Sequence, residues 1–287
     1  MRFLITGAKG QLGREWMKFL KDSDHEIFGF GSKELDITDV KNVQAIFKQV
    51  NPDLVINCAA YTKVDQAEEE PEIAFKVNEI GVMNLSAACG IFGAKLVHYS
   101  TDYVFSGNAD DNKIYPNGYP EDVNPDPINV YGKSKRAGEE AIEKQNSDGL
   151  ILRVSWLCGQ YGNNFVKTML RLGKEKSELN VVDDQFGSPT FCFDVVEKTM
   201  GLINQEKNGY FHISSEGSIT WFQLAEKIFE MSDDSPRLNP VPSTAFASKA
   251  KRPAFSYLNT HKLKNAGLQP IFWEAGLKKL IHQITEE

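Results

Sequence analysis

Cysteine is scarce in this chain of 287 residues, and its placement excludes two kinds of site. Cys58, Cys89, Cys158 and Cys192 are widely spaced, with no C-x-x-C pair and no short-spaced Cys/His cluster. Structural zinc sites and disulfide frameworks need closer or patterned spacing. We therefore expect neither, and we expect four free thiols of the kind found in a reducing cytosol.

Long apolar runs and an excess of positive charge are also missing. The sequence has no run of 18 apolar residues, so it predicts no membrane-spanning helix. A strand-like run begins directly after Met1, and we expect no signal peptide. The chain has 32 basic and 39 acidic residues, a net charge of −7, which argues against nonspecific nucleic-acid binding. We expect a cytoplasmic protein with no membrane or nucleic-acid partner.

Short apolar runs alternate with helical patterns along the first 160 or so residues. The predicted strands cover 3–6, 27–30, 53–60, 95–99 and 150–154. Such alternation predicts an α/β fold with a doubly wound parallel sheet of the Rossmann type. The regularity loosens after Gly162. We predict a dinucleotide-binding domain over 1–162 and a smaller C-terminal substrate-binding lobe over 163–287, with some of its segments returning to the sheet.

A glycine turn ends the first predicted strand. It reads Gly7-Ala8-Lys9-Gly10-Gln11-Leu12-Gly13, and a helical pattern starts at Gln11. Glycines let the backbone approach a pyrophosphate closely, and a helix N-terminus supplies free N–H groups and a positive dipole. The spacing is G-x-x-G-x-x-G, and a plain structural turn is the alternative. Its position at the first strand–helix junction favours dinucleotide binding.

The end of the second predicted strand bears on the choice of cofactor. Its tip lacks the acid that would hold the 2′-hydroxyl of NAD. Ser32 and Lys33 could instead accept a 2′-phosphate, which favours NADP, with NADH as a second possibility. In the alternative interpretation Glu34 or Asp36 binds the ribose and Lys33 is solvated.

Tyr131 and Lys135 lie four residues apart in a predicted helix over 131–145. Residues at this spacing share a helix face. A cation about 5 Å from the phenol, at an effective dielectric of about 20, favours phenolate by roughly 3 kcal/mol. We therefore expect Lys135 to lower the pKa of Tyr131 and make proton transfer practicable. Taken alone, the pair could be a chance match at an exposed helix start.

Polar residues follow the fourth predicted strand. Thr101, Asp102 and Tyr103 stand at its carboxyl end, where ligands of open α/β sheets bind. The segment 106–129 is long and rich in Asn, Asp, Pro and Gly, which predicts an active-site flap. Near the C-terminus, Lys249 and Lys251 could supply cations for an anionic substrate, although a solvated surface is an equal alternative.

A long helix is predicted over 68–92. Its first residues, Glu68-Glu69-Glu70, favour a solvated helix start over a metal site. Asn78 is the polar residue in the middle of its apolar stripe, and we expect it to tie the helix to a neighbouring strand.

In combination, the glycine turn, Thr101, and Tyr131 with Lys135 resemble the extended short-chain dehydrogenase/reductase family. The Ser/Thr, Tyr and Lys of that family correspond to these three residues. Within it, the chain is similar to the dTDP-4-dehydrorhamnose reductases over essentially its full length. The motifs that carry this second resemblance are 59–68, 100–105, 131–135, 153–157, 184–190 and 252–258.

The resemblance implies an NAD(P)H-dependent oxidoreductase. It would reduce the C4 ketone of dTDP-4-dehydro-L-rhamnose (dTDP-6-deoxy-L-lyxo-4-hexulose) to dTDP-L-rhamnose, the last step of dTDP-rhamnose biosynthesis. Tyr131 would protonate the ketone oxygen and Thr101 would orient it. Lys135 would lower the phenol pKa and hold the nicotinamide ribose.

The resemblance and the motifs together predict two sets of binding residues. The cofactor set is Gly7, Lys9, Gly10, Gln11, Leu12, Gly13, Ser32, Lys33, Asp36, Ile37, Ala59, Ala60, Tyr61, Asn78, Tyr131 and Lys135. The substrate set is Val64, Thr101, Asp102, Tyr103, Trp156, Asn164, Gln185 and Arg252. The last three are candidates for the dTDP moiety, and core packing is the alternative for Val64 and Trp156.

Other functions on the same fold are distinguished by single residues. Dehydratases of the family have Asp-Glu directly after the catalytic Thr, whereas here Asp102 is followed by Tyr103. A 4-epimerase stays open, and it would retain its cofactor rather than consume it. A silent NADP-binding regulatory subunit is the non-enzymatic alternative, against which the retained Thr101, Tyr131 and Lys135 argue.

Oligomeric state and metal are linked in this family. Some members form homodimers through acidic residues around magnesium, so a homodimer is a possible assembly. Glu15 stands where one such ligand would be, but the rest of that set is not found in the sequence. We predict no metal site.

Overall fold

The first half of the chain forms an alternating α/β unit. The computed structural model describes residues 1–145, 148–232, 234 and 236–286. All five strands predicted in this half form: β1 (Arg2–Thr6), β2 (Glu26–Phe30), β3 (Leu54–Asn57), β4 (Lys95–Thr101) and β5 (Leu150–Val154). β3 is shorter than predicted, because residues 58–60 leave the sheet and line a cavity.

Seven helices connect and follow these strands. They are α1 (Gln11–Leu20), α2 (Val40–Val50), α3 (Val64–Ala67), α4 (Pro71–Phe75), α5 (Gly81–Phe92), α6 (Asp111–Ile114) and α7 (Val130–Lys144). The single helix predicted over 68–92 is instead divided. Pro71 starts α4, since proline is favoured in a first helical turn, and a π-helical stretch, Lys76–Ile80, joins α4 to α5.

The second half is less regular. Its strands are β6 (Leu157–Cys158), β7 (Glu178–Val182), β8 (Phe186–Gly187), β9 (Thr190–Phe191), β10 (Gly209–Ile213), β11 (Ile219–Thr220) and β12 (Arg237–Val241). Its helices are α8 (Phe165–Glu175), α9 (Cys192–Asn204), α10 (Trp221–Glu230), α11 (His261–Asn265) and α12 (Trp273–Thr285). Within the described ranges, no helix has both the length and the apolar character needed to cross a membrane.

The central sheet is parallel and six-stranded, in the order β10-β5-β4-β3-β1-β2. The chain therefore starts in the interior of the sheet, builds β2 at one edge, and then continues on the other side of β1. The strand order reverses between β1 and β3, which is where ligands bind in such sheets. The predicted Rossmann-type sheet is confirmed, and β10 is a segment returning from the C-terminal portion. The boundary at 162 stays a prediction.

Apolar residues of the sheet divide between its two faces. In β1, Phe3 and Ile5 pack in a cluster with residues of α1 and α9, while Leu4 packs on the other face with residues of α2 and α5. This alternation follows from the two-residue period of a strand. A separate cluster containing Leu224 and Leu277 forms the core of the C-terminal portion.

The segment 106–129 is ordered by its own buried contacts. The Asp111 carboxylate accepts hydrogen bonds from Ser106 Oγ (2.6 Å), the Asn108 backbone N–H (3.1 Å) and the Tyr119 phenol. Tyr119 is buried and pairs with Leu258 of the C-terminal portion. None of the residues 106–129 lines either cavity described below. The predicted active-site flap is therefore wrong: this segment lines neither cavity and packs largely on 253–259, and its last residue, Asn129, reaches the start of α7.

Candidate active site

A cavity of about 550 Å³ opens at the carboxyl ends of β1, β3, β4 and β5. It joins the glycine turn to the polar end of β4. The predicted residues that line it are Gly10, Gln11, Leu12, Ala59, Ala60, Val64, Thr101, Asp102, Tyr103, Tyr131, Lys135 and Trp156. The structure therefore brings together half of the residues that the sequence singled out, including the Thr-Tyr-Lys set.

The glycine turn lies tight against the end of β3. Gly7 has φ +60°, and a Cβ there would lie 2.7 Å from the carbonyl of Cys58. A Cβ at Gly13 would overlap the carbonyl oxygen of Gly7. Gly10 caps α1 and leaves its first N–H groups without a side-chain acceptor. Only glycine fits at positions 7 and 13, and the free helix N-terminus suits the phosphates of a dinucleotide.

Charged side chains surround the outer end of β2. Lys9 and Glu34 form an ion pair between the glycine turn and the residues after β2. Ser32, Lys33 and Asp36 are exposed beside this pair. A cation and a carboxylate therefore both lie near the position where NADP carries a 2′-phosphate and NAD a 2′-hydroxyl. The side chains named in the two sequence-based alternatives are close together in the structure.

Ile37, Tyr61 and Asn78 were predicted as cofactor residues, but they line neither cavity and contact other parts of the protein. Ile37 is buried in the core beside Gly81. Asn78 accepts from the Tyr61 N–H (2.8 Å) and donates to the Tyr61 carbonyl (3.0 Å) and to Ser134 Oγ (2.9 Å). Asn78 therefore ties the π-helical stretch to the segment after β3 and to α7. Its side chain lines neither cavity, so the geometry supports a positioning role for it.

Thr101, Tyr131 and Lys135 come from two neighbouring elements. Thr101 is the last residue of β4, and Tyr131 and Lys135 lie one turn apart in α7. Asn129 fixes the start of α7, because its side chain accepts from the Gly132 N–H (2.8 Å). Tyr131 and Thr101 both line the first cavity, and Thr101 acts to lower the pKa of the Tyr131 phenol. A phenol and a hydroxyl thus lie together at the cavity wall.

The sequence predicted that Lys135 lowers the pKa of Tyr131, and this prediction is wrong. Lys135 Nζ donates to the carbonyl oxygen of Tyr99 (2.6 Å) and lies 3.4 Å from His98 Nε2. Burial raises the pKa of Tyr131 above its usual value, and Thr101 opposes this only in part. Burial also lowers the pKa of Lys135, to about 8. The amino group is directed at the β4 backbone, so the phenol keeps its proton at neutral pH.

Asp102 is a buried acid beside this pair. Its Oδ1 accepts a hydrogen bond from Thr101 Oγ1 (2.8 Å), and its side chain lines the cavity. Burial raises the pKa of this carboxyl to about 7, against the opposing effect of the hydrogen bond from Thr101. The carboxyl is therefore partly protonated at neutral pH.

Replacing Asp102 should change how stability depends on pH. The folded state holds a proton that the unfolded carboxyl, with a pKa of 3.8, has lost, so the wild-type protein loses stability as pH rises towards about 7. In Asp102→Asn this loss should be absent. Urea unfolding of both proteins between pH 4.5 and 7.5 measures it. Parallel stability curves for the two proteins would contradict the prediction.

A second cavity, of about 760 Å³, adjoins the first. Tyr103 and Trp156 line both. Trp156 lies between β5 and β6 with φ +44°, donates from Nε1 to Ser256 Oγ (3.1 Å), and stacks on Trp221 with ring centroids 3.5 Å apart. The Trp156 prediction as a pocket residue fits this geometry. The two cavities together can hold an elongated ligand.

Some lining residues of the second cavity carried no signal in the sequence. Phe165, Trp221 and Ser256 all line it. Trp221 is the first residue of the amphipathic helix α10, where an aromatic residue is most simply interpreted as core. A sequence pattern shows that such a ring is buried on one side, but not that its other face borders a cavity.

The three residues predicted for the dTDP moiety differ in position. Gln185 and Arg252 line the second cavity. Arg252 donates to Asp65 Oδ2 (2.7 Å) and to the Tyr103 hydroxyl (3.3 Å). Asn164 lines neither cavity: its Oδ1 caps α8, and its Nδ2 donates to Gln11 Oε1 (2.8 Å) and to the Gly159 carbonyl. Its amide is used to join α8 to the glycine turn.

The parallel sheet, the glycine cradle and the Thr-Tyr-Lys set at the carboxyl ends of the strands define an extended short-chain dehydrogenase/reductase. The chain belongs to the family described as "RmlD substrate binding domain", whose sequence profile matches residues 1–286.

Individual relatives cover nearly the whole chain. It is 40% identical over 294 residues to the dTDP-4-dehydrorhamnose reductase of Aggregatibacter actinomycetemcomitans, covering 97% of this chain and 98% of that one. It is 38% identical to the spore coat polysaccharide biosynthesis protein SpsK of Bacillus subtilis, covering 98% and 97%. The crystal structure of a Bacillus anthracis dTDP-4-dehydrorhamnose reductase in complex with NADP is similar with a TM-score of 0.94 and 44% identity, covering 98% and 99%. These comparisons confirm the resemblance seen in the sequence.

Proposed function

We propose that this protein is an NADPH-dependent reductase that converts the C4 ketone of dTDP-4-dehydro-L-rhamnose into the hydroxyl of dTDP-L-rhamnose. The observation that carries the proposal is the convergence of Thr101, Tyr131 and Lys135 on the wall of a cavity that begins at the glycine cradle. Relatives at 37–40% identity, including the enzymes of Aggregatibacter actinomycetemcomitans and Escherichia coli, bear the name of this reductase.

The residues of the first cavity fit a nicotinamide dinucleotide. The backbone of Gly7, Gly10 and Gly13 would receive the pyrophosphate at the N-terminus of α1. Ser32 and Lys33, which are exposed at the end of β2, would bind the 2′-phosphate. When bound, the reduced cofactor supplies a hydride to the ketone carbon.

Tyr131 and Thr101 would act on the ketone oxygen. This oxygen gains negative charge during reduction, so donors already directed at it stabilise the transition state more than the ground state. The raised pKa of Tyr131 keeps the phenol protonated and ready to donate. Thr101, which lines the same cavity, would orient the ketone oxygen, and Lys135 would contact the cofactor ribose from its fixed position at Tyr99.

The nucleotide would occupy the second cavity. The stacked pair of Trp156 and Trp221 offers an aromatic surface, and Arg252 offers a guanidinium to the diphosphate. Tyr103 and Trp156, which line both cavities, would then contact the sugar between them. Tyr103 in place of the dehydratase Glu leaves no second acid directly after Asp102.

A coupled assay tests substrate and reaction together. Starting from dTDP-glucose and the preceding enzymes of the route, we expect stoichiometric consumption of NADPH, and a higher kcat/KM with NADPH than with NADH. A mixture lacking only this protein is the control. Interconversion of sugar nucleotides without NADPH consumption would indicate an epimerase, and binding of NADPH without turnover would indicate a regulatory subunit. A preference for NADH would contradict the assignment of Ser32 and Lys33.

We also propose a cytoplasmic enzyme. The four cysteines are free, three of them buried, and unpaired cysteines are typical of a reducing compartment. Homodimer formation is a further expectation, which sedimentation analysis of the purified protein would test.

A further inference from the structure

A buried chain of polar side chains leads from the middle of the sheet to Lys135. Thr6 Oγ1 donates to Asn57 Oδ1 (2.6 Å), Asn57 Nδ2 lies 2.9 Å from His98 Nδ1, and His98 Nε2 lies 3.4 Å from Lys135 Nζ. The four residues come from β1, β3, β4 and α7, and each is at most 2% exposed. Buried polar groups are costly unless paired, so an unbroken chain of them indicates a defined arrangement.

The neighbours of Asn57 fix the direction of every hydrogen bond in this chain. Asn57 Oδ1 accepts from Thr6 Oγ1 and also from the backbone N–H of Ala59 (3.2 Å), which can only donate. The other amide atom is therefore the NH₂ group, and it donates to His98 Nδ1. A neutral imidazole with an accepting Nδ1 carries its proton on Nε2. Burial and Lys135 both keep the pKa of His98 well below its usual value, so the ring is neutral.

The Nε2–H of His98 therefore faces the amino group of Lys135. A neutral amine can accept this N–H through its lone pair, whereas an ammonium group cannot. Lys135 Nζ is also held by the Tyr99 carbonyl. The opposing influence comes from Glu139 of the same helix, which favours the charged lysine but is itself paired with Arg153 of β5 and with Arg136.

We propose that His98 is a positioning residue for the reaction: its Nε2–H donates to the neutral amine of Lys135 and, with the Tyr99 carbonyl, holds Lys135 against β4. The catalytic part of this proposal rests on the proposed reductase function, because it assigns a role to Lys135 in turnover. The tautomer of His98 does not depend on that function. The two can therefore fail separately.

The tautomer is measured without substrate by long-range ¹H–¹⁵N NMR of the histidine rings in the wild-type protein, with the His98 signals assigned by correlation of the ring to its own backbone resonances. We expect a neutral ring with a bare Nδ1 and a protonated Nε2 throughout pH 5.5–9. A proton on Nδ1, or a ring that becomes an imidazolium in this range, would overturn the proposal. The wild-type protein suffices for this measurement, so it holds even where a variant fails to fold.

The pH dependence of kcat measures the effect on Lys135. Asn at position 98 keeps an acceptor for Asn57 but loses the N–H donor that faces Lys135. Gln, whose side chain is longer, keeps an N–H close enough to Lys135 to donate to it. We expect the basic limb of the profile, near pH 8 in the wild type, to move up by about one pH unit or more in His98→Asn and by less in His98→Gln. His212→Asn, at an equally buried histidine on β10, is the matched control and should leave the limb in place. Coincident wild-type and His98→Asn profiles, or an equal shift in His212→Asn, would show that His98 only fills space.

Discussion

Tyr131→Phe should lower kcat by about 10²- to 10⁴-fold while the dissociation constant for NADPH changes little. The phenol lies on the cavity wall with Thr101, and it keeps its proton because burial raises its pKa. Phenylalanine preserves the ring, which meets Tyr103 edge to face at 5.4 Å between centroids, and removes only the donor. The measurement is steady-state kinetics with the 4-keto sugar nucleotide, together with a fluorescence titration of NADPH.

Tyr115→Phe is the matched control for this change. Tyr115 belongs to the segment 106–129 and packs on Tyr119, away from both cavities. Its variant should turn over at close to the wild-type rate. If Tyr131→Phe turned over at close to the wild-type rate, as Tyr115→Phe should, the assignment of Tyr131 as proton donor would be refuted. If both variants lost activity to the same extent, the cause would be a general effect on folding.

Arg153→Met should lower the free energy of unfolding by about 3–5 kcal/mol. Arg153 donates from Nε and Nη2 to the two carboxylate oxygens of Glu139, each at 2.9 Å, and both side chains are almost fully buried. The substitution leaves Glu139 buried with Arg136 as its remaining ion-pair partner at 3.0 Å. A buried carboxylate without its main counter-ion is the costly species, and urea denaturation followed by circular dichroism measures the loss.

Two comparisons separate this effect from lost packing. In Glu139→Gln combined with Arg153→Met no buried charge is stranded, so most of the stability should return. Arg171→Ala removes an exposed pair with Glu175 and should cost less than about 1 kcal/mol. If the double variant is as unstable as Arg153→Met alone, shape and not charge is the cause.

The same ion pair predicts a dependence on acid. Although burial acts to raise it, the pKa of Glu139 lies below its usual value of 4.5, because the hydrogen bonds and charges of Arg153 outweigh the burial. A depressed acid contributes stability above its unfolded pKa and loses it as pH falls through the folded pKa. The wild-type protein should therefore lose stability below about pH 4.5 more steeply than the double variant.

Local patterns were sufficient for the elements and for the main motifs. The apolar runs that became β1 to β5, the glycine turn and the i, i+4 spacing of Tyr131 and Lys135 depend on neighbours within a few residues, so the sequence displays them directly. The prediction of one continuous helix over 68–92 was wrong in part. Pro71 marks a helix start that periodicity alone does not show. The π-helical stretch is held by hydrogen bonds of Asn78 with Tyr61 and Ser134, which lie farther away along the chain.

Three features of the site could not be predicted from the sequence and became clear only in the folded structure. Segment 106–129 has the composition of a flap, yet Asp111 holds Tyr119 within it, and Tyr119 pairs with Leu258, a residue more than 100 positions away. Trp221 looks like a core residue until its stacking on Trp156 places it beside a cavity. Asn164 has the right chemistry for a nucleotide, but its amide is consumed by Gln11 and the start of α8.

The sequence by itself determined the class of chemistry, since the residue types that bind a dinucleotide and donate a proton stand in recognisable short motifs. Only the tertiary structure decided how those residues are charged. Lys135 is at the predicted spacing from Tyr131, but its amino group points to Tyr99 and His98, and burial raises the pKa of the phenol that the spacing alone would have lowered. The physical reason is that a pKa depends on burial and on every charge nearby, and these are set by contacts between distant parts of the chain.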